Sequence, residues 1–114
     1  MSLIALEGME FFAYHGCYRE EQVVGTKFIV DLYIEADLSK SEKSDNLSDT
    51  INYQDIYFLV KKEMETNSFL LEHIGRRILN SVKEHFPEIL KVKINVSKMN
   101  PQLGGKIKNV SITL

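Results

Sequence analysis

Apolar and polar residues alternate most clearly over residues 27–38, KFIVDLYIEADL, where Phe28, Val30, Leu32, Ile34, Ala36 and Leu38 share one side. A period of two predicts a strand with one face buried and the other solvated, as in an antiparallel sheet. Residues 90–98 repeat the pattern with Val92, Ile94 and Val96, and the same period brings Lys98 onto the apolar side. Residues 3–15 are apolar and aromatic and predict a first strand, broken or bulged near Gly8. A last strand is expected over 106–114, joined to its predecessor by a turn at 99–105 that holds Pro101, Gly104 and Gly105. Between the first two strands, 16–26 is polar and bracketed by Gly16 and Gly25, which predicts a loop; 39–49, SKSEKSDNLSD, predicts another.

The period changes in the middle of the chain. Ile56, Leu59, Val60 and Met64 have helical spacing, with Asn52 placed as N-cap and Asp55 three residues on in the manner of a capping box. ETNS at 65–68 ends that helix and supplies a cap for the next. The second helix carries the stripe Leu71, Ile74, Ile78 and Val82 and is closed by Pro87. The predicted order is strand, strand, helix, helix, strand, strand. This is an α+β fold in which two hairpins make a four-stranded antiparallel sheet with both helices on one face. Such a sheet keeps an uncovered face and free edges, so a homo-oligomer is expected.

Length and charge narrow the classes. The 114 residues suffice for a single domain spanning 1–114, and a hydrophobic fraction of 44% with 26% charged residues is that of a water-soluble globule. A formal net charge of −2 without a basic run argues against a nucleic-acid partner. The N-terminal MSLIALEGMEFF lacks a basic start and contains Glu7 and Glu10, unlike a signal peptide, and no apolar run reaches membrane-spanning length. One cysteine, Cys17, forbids an intrachain disulfide. A cytoplasmic enzyme or binding domain is expected.

The candidate chemistry is sparse. His15, His73 and His85 show no metal-ligand spacing, and no metal or other cofactor is expected. The Gly104–Gly105 pair is not followed by the helix and Lys-Ser/Thr of a phosphate loop. Lys98 admits two readings: a strand-end lysine reaching to solvent, or a partly desolvated amine tuned to move protons. Glu72, in the first turn of the second helix, suits the helix dipole. Glu20 and Glu21 read as solvated loop charges, and Tyr53 as a half-buried packing tyrosine at the start of the first helix. None of these alone identifies a reaction.

Together and in order they do suggest one. GMEFFAYHG at 8–16, REEQ at 19–22, GTKFIVDLYIEADLSK at 25–40, SDNLSDTINYQDIY at 44–57, LLEHIGRRI at 70–78 and VSKMNP at 96–101 resemble the dihydroneopterin aldolase family. The resemblance covers essentially the whole chain. It implies the tunnelling fold, in which sheets join between subunits into a barrel. Four subunits would close a ring and two rings would stack into a homo-octamer, with sites between adjacent subunits. It also implies residue roles. Lys98 would be the catalytic lysine, Glu21 rather than Glu20 the loop glutamate that holds and tunes it, and Tyr53 the catalytic tyrosine, reaching a neighbouring subunit's site. Glu72 would anchor a pterin through its N3–H and 2-amino edge, with the backbone around Ile51, Leu71 and His73 completing the pocket.

The implied reaction is retro-aldol cleavage of 7,8-dihydroneopterin, on the route to folate, with epimerisation at C2′ as a side activity. The C6=N5 imine of the substrate is itself the electron sink, so neither a Schiff base nor a metal is required. The family pattern is departed from after Lys98, where many members have a Pro-Pro pair and a Pro-Gly turn and this chain reads MNPQLGGKIKNV. Two alternatives stay open. One is a dihydroneopterin triphosphate epimerase, for which Arg76, Arg77, Lys106 and Lys108 would have to converge on the phosphates. The other is a non-catalytic pterin- or purine-binding oligomer, which would keep Glu72 but need neither Lys98 nor Glu21.

Overall fold

A computed structural model describes residues 1–114. Four strands, β1 (Ser2–Ala13), β2 (Thr26–Ala36), β3 (Lys91–Met99) and β4 (Asn109–Thr113), form one sheet in the order β1-β2-β3-β4, every pair antiparallel. The two long helices are α3 (Tyr53–Met64) and α4 (Leu71–His85). They cover the sheet face formed by Phe28, Val30, Leu32 and Ile34 of β2 and Val92, Ile94 and Val96 of β3, all buried. From the helices, Ile56, Val60, Ile74, Ile78 and Val82 complete the core. The alternation read along the chain is therefore the alternation between this core and the opposite, solvated face. Burial of these apolar side chains is the main force that fixes strand register, because a slip of one residue would turn each strand residue outward.

The expected break in the first strand is a β-bulge. The β1–β2 register shifts between Leu6 and Met9. Gly8 takes φ 70 there, and its freed N–H donates to Asp31 Oδ1 at 2.7 Å.

The predicted order of six elements is incomplete, because both polar stretches expected as loops contain helix. Arg19–Val24 forms a short helix, α1. Glu21, three residues past the N-cap Tyr18, accepts from the Tyr18 N–H at 3.3 Å, so local capping starts a helix that no apolar stripe announces. Ser39–Ser44 forms α2, entered where Asp37 Oδ1 accepts from the Ser39 N–H and left through Asp45 at φ 55. A turn of 3-10 helix follows at Leu47–Asp49. Neither short helix buries a residue, which is why periodicity missed them.

Several boundaries also move. Asn52 is the N-cap of α3, its Oδ1 accepting from the Gln54 N–H at 3.0 Å, but no reciprocal bond from Asp55 closes a capping box. The N-cap of α4 is Leu70 rather than a residue of ETNS, and it makes no side-chain cap bond. β4 starts at Asn109, so the connection after β3 is longer than the expected turn at 99–105. No helix is long and apolar enough to cross a membrane. The barrel implied for an assembly lies beyond a single chain; what is observed is the four-stranded α+β unit.

Candidate active site

Lys98 sits near the end of β3, paired with Phe28 on one side and Val110 on the other. A residue held by ladders on both flanks has little backbone freedom, so its side chain leaves the sheet in a set direction. That direction is the helix-covered side, as the period of two required. The side chain is 16% exposed and ion-pairs with Oε2 of Glu21, itself 25% exposed. Burial pushes the Lys98 ammonium below the ordinary lysine pKa, and a negative Cys17 thiolate would act the other way. The adjacent Glu21 carboxylate also favours the charged amine, so the pair balances desolvation against attraction.

Glu21 reaches Lys98 because α1 folds back against Gly16 in the segment after β1. One carboxylate oxygen caps the Tyr18 N–H and the other meets Lys98. Gly16 makes room. A Cβ there would lie 2.6 Å from Glu21 Cδ and 2.7 Å from Oε1, and the φ of 153 suits only glycine. The Gln22 amide closes the loop by donating to the Gly16 carbonyl at 3.0 Å.

The pair opens into a cleft of about 750 Å³. Lys98 and Glu21 stand among its walls with Gly16, Cys17, Leu71 and Glu72; Tyr18, Phe69, Pro101, Gln102 and Leu103 line other parts. Glu72 is exposed in the first turn of α4 and makes no hydrogen bond or ion pair within the chain. It is an unspent bidentate acceptor in the same cleft as a shielded amine. A second, shallower hollow of about 470 Å³ lies on the solvated face of the sheet around Asp31, Tyr33, Lys93 and Asn95, far from this chemistry.

Of the residues singled out by sequence, the fold brings Lys98, Glu21, Leu71 and Glu72 together. It does not bring Tyr53, which is 68% exposed at the start of α3 and outside the cleft wall. Ile51 is buried in the core away from the cleft. The His73 ring turns to Ser68, with Nδ1 2.7 Å from Ser68 Oγ, and the His73 backbone N–H donates to the Leu70 carbonyl. Arg77 is occupied by Glu63 at 2.7 Å and by Ser68 Oγ, and none of Arg76, Arg77, Lys106 and Lys108 lines the cleft. No three His, Cys, Asp or Glu side chains are grouped as metal ligands. The sequence reading missed Gly16, Cys17 and the 101–103 segment as cleft walls. The glycine was visible as a loop bracket, but its contact with Glu21 depends on α1.

A model of the family described as FolB, dihydroneopterin aldolase, matches residues 4–114. The chain belongs to the dihydroneopterin aldolase family. It is 35% identical over 113 residues to the dihydroneopterin aldolase of Staphylococcus epidermidis, covering 98% of this chain and 93% of that one. It is 37% identical over 115 residues to the dihydroneopterin aldolase of Streptococcus pyogenes, covering 100% and 97%. The fold matches that of the Escherichia coli dihydroneopterin aldolase solved with neopterin, at a TM-score of 0.91 and 24% identity, over 100% of this chain and 97% of that one. The Burkholderia thailendensis dihydroneopterin aldolase solved with guanine matches at 0.79 and 15%, over 99% and 88%. At these identities the two structures speak to the fold of the family, which this chain shares from its first strand to its last.

Proposed function

We propose that this chain cleaves 7,8-dihydroneopterin by a retro-aldol reaction into 6-hydroxymethyl-7,8-dihydropterin and glycolaldehyde, acting in the cytoplasm on the route to folate. The observation that carries the proposal is the Lys98–Glu21 ion pair sharing one cleft with the unpaired Glu72. Glu72 accepts two hydrogen bonds from the N3–H and 2-amino group of the pterin, a planar donor pair that only a carboxylate matches in both directions. The ring then extends toward Lys98.

Cleavage needs a proton at N5 and the loss of one from the C2′ hydroxyl. Lys98 supplies the proton to N5, its burial making the ammonium a better acid than a solvated lysine. With N5 protonated, the C1′–C2′ bonding pair moves into C1′=C6 and glycolaldehyde leaves as the C2′ hydroxyl loses its proton. Protonation at C1′ and loss of the N5 proton give the product. Glu21 holds the amine and keeps it charged between steps. The electron sink lies in the substrate, so the reaction runs without a metal and without a Schiff base to Lys98.

Tyr53 assists proton transfer at the side chain of the substrate. Because it lies outside its own chain's cleft, it serves a neighbour's. The free edges of β1 and β4 provide the means of assembly, and the family resemblance implies an octamer of two stacked four-membered rings. Incubation of the purified protein with 7,8-dihydroneopterin in the presence of a chelator, assaying both products, tests the proposal. Formation of both is expected. Absence of both, or turnover confined to the triphosphorylated substrate, would overturn it.

A further inference from the structure

His15 is the one buried titratable side chain that the reaction above does not use. It is 1% exposed, two residues past the end of β1 and one residue before Gly16. Its Nδ1 accepts from the Ser68 N–H at 3.0 Å, and the next residue returns the bond, the Gly16 N–H donating to the Ser68 carbonyl at 3.0 Å. Cys17 adds a third link, Sγ donating to the Phe69 carbonyl at 3.3 Å. Residues 15–17 are thus laced to 68–69 rung by rung.

Both segments border the cleft, through Gly16, Cys17 and Phe69. The first leads into α1 and Glu21; the second leads into α4 and Glu72. Ser68 is anchored from behind, its Oγ accepting from Arg77 Nε at 3.2 Å and Nη2 at 3.0 Å. The His15 ring also packs edge-on against Phe28, centroids 5.1 Å apart, and Phe28 is the β2 partner of Lys98. One imidazole therefore touches the supports of all three groups placed in the reaction.

An accepting Nδ1 means that the neutral ring carries its proton on Nε2. Nε2 is buried and has no hydrogen-bond partner within bonding geometry. A leucine would fill the space without that cost. What leucine lacks is the acceptor at Nδ1.

We propose that His15 is a positioning residue: by accepting from Ser68 it locks the Glu21 loop to the start of the Glu72 helix and so sets the span between the pterin anchor and the Lys98 amine. This rests on the aldolase reading of the cleft. Misplacement by an ångström at a reacting centre can cost about 10²-fold in rate, so loss of the lock is felt in kcat while Glu72 alone still holds the pterin.

The test uses three variants of the intact protein. In His15→Asn the amide oxygen takes the place of Nδ1. In His15→Gln an amide of similar polarity reaches toward Nε2 instead. His15→Leu keeps volume only. Expected are kcat values near wild type for His15→Asn and reduced by roughly tenfold to 10²-fold for His15→Gln and His15→Leu, with KM changed less than threefold (about) in each. Equal losses in Asn and Gln variants, or full activity in His15→Leu, would overturn the proposal. If His15→Leu does not fold, the Asn–Gln pair decides. A readout independent of turnover is the titration of the Lys98 amine by NMR. It is expected to move toward the ordinary lysine value in His15→Gln, as water enters a loosened site, and to stay in place in His15→Asn. A wild-type protein that cleaves nothing defeats the aldolase reading, and the amine titration then judges the lock by itself: an unmoved Lys98 in His15→Gln sinks it.

Discussion

The cleft carries two glutamates, and they are held in opposite ways. Glu21 spends both carboxylate oxygens inside its own chain, one on the Tyr18 N–H and one on Lys98, and is only 25% exposed. Glu72 is exposed at the opening turn of α4 and spends neither. A carboxylate already paired is part of the machinery before substrate arrives. A free one is a binding valence that a planar donor pair can fill. On the proposed reading, the difference teaches that the acid–base end of the site is preorganised within one chain, whereas the anchoring end is completed by its ligand.

The sharpest way to break this comparison is to remove the amine. Lys98→Ala should lower kcat by about 10²- to 10⁴-fold, the usual worth of a positioned acid, while pterin binding measured by fluorescence stays within a few-fold. Loss of binding together with turnover would mean that the two ends are not separate.

The preorganised end should also report itself through acid sensitivity. Burial first, then the nearby Arg77 and Lys98 charges, hold His15 at a pKa of about 4 instead of 6.5. Below pH 6.5 the unfolded chain binds a proton that the folded one refuses, so stability is full above that pH and is lost as pH falls toward 4. The loss should reach up to about 3 kcal/mol. Denaturant titrations between pH 7 and pH 4 check this, and the slope should flatten in His15→Asn. An unchanged slope in that variant would assign the acid sensitivity elsewhere.

At the other end, Glu72→Ala should weaken pterin binding by roughly tenfold to a hundredfold, because hydrogen bonds to a charged acceptor are lost and the pterin edge is left unpaired. Calorimetric titration with neopterin is the check, and unchanged affinity would remove Glu72 from the anchor. The mildest effect belongs to Glu21→Gln, which keeps the cap on Tyr18 and removes the charge. Turnover should fall by about tenfold. The alkaline limb of the pH–rate profile should move to lower pH, since the ammonium loses a stabilising neighbour. A limb that moves upward would contradict the pairing.

Much of the scaffold was legible in the chain. The alternation at 27–38 and 92–98 identified β2 and β3 and the face on which Lys98 lies, because burial of one sheet face leaves a period of two. The stripe Ile74, Ile78 and Val82 located α4 for the same reason. What escaped was structure without a buried face. α1 and α2 bury nothing and are held by caps, which are single hydrogen bonds that composition does not announce. The Leu70 cap was misplaced onto ETNS because the serine there turns inward as the node between His15, His73 and Arg77.

The candidate site divides along the same line. The sequence by itself determined that a lysine would stand on the apolar register of a strand, that Glu20 and Glu21 would lie in a glycine-bounded segment and Glu72 in the first turn of a helix, and that the motif set resembles one family of pterin enzymes. The first two follow from local period and residue type; the last rests on the resemblance of several motifs taken together. Only the tertiary structure decided that Gly16 clears the way for Glu21, that Arg77 is taken by Glu63, that Ile51 is buried away from the cleft and that the His73 ring turns to Ser68, whereas the resemblance had already implied that Glu21 would hold Lys98 and that Tyr53 would serve a neighbouring subunit. Each of these depends on how loops and short helices fold back over the strands. No periodicity along the chain encodes that geometry.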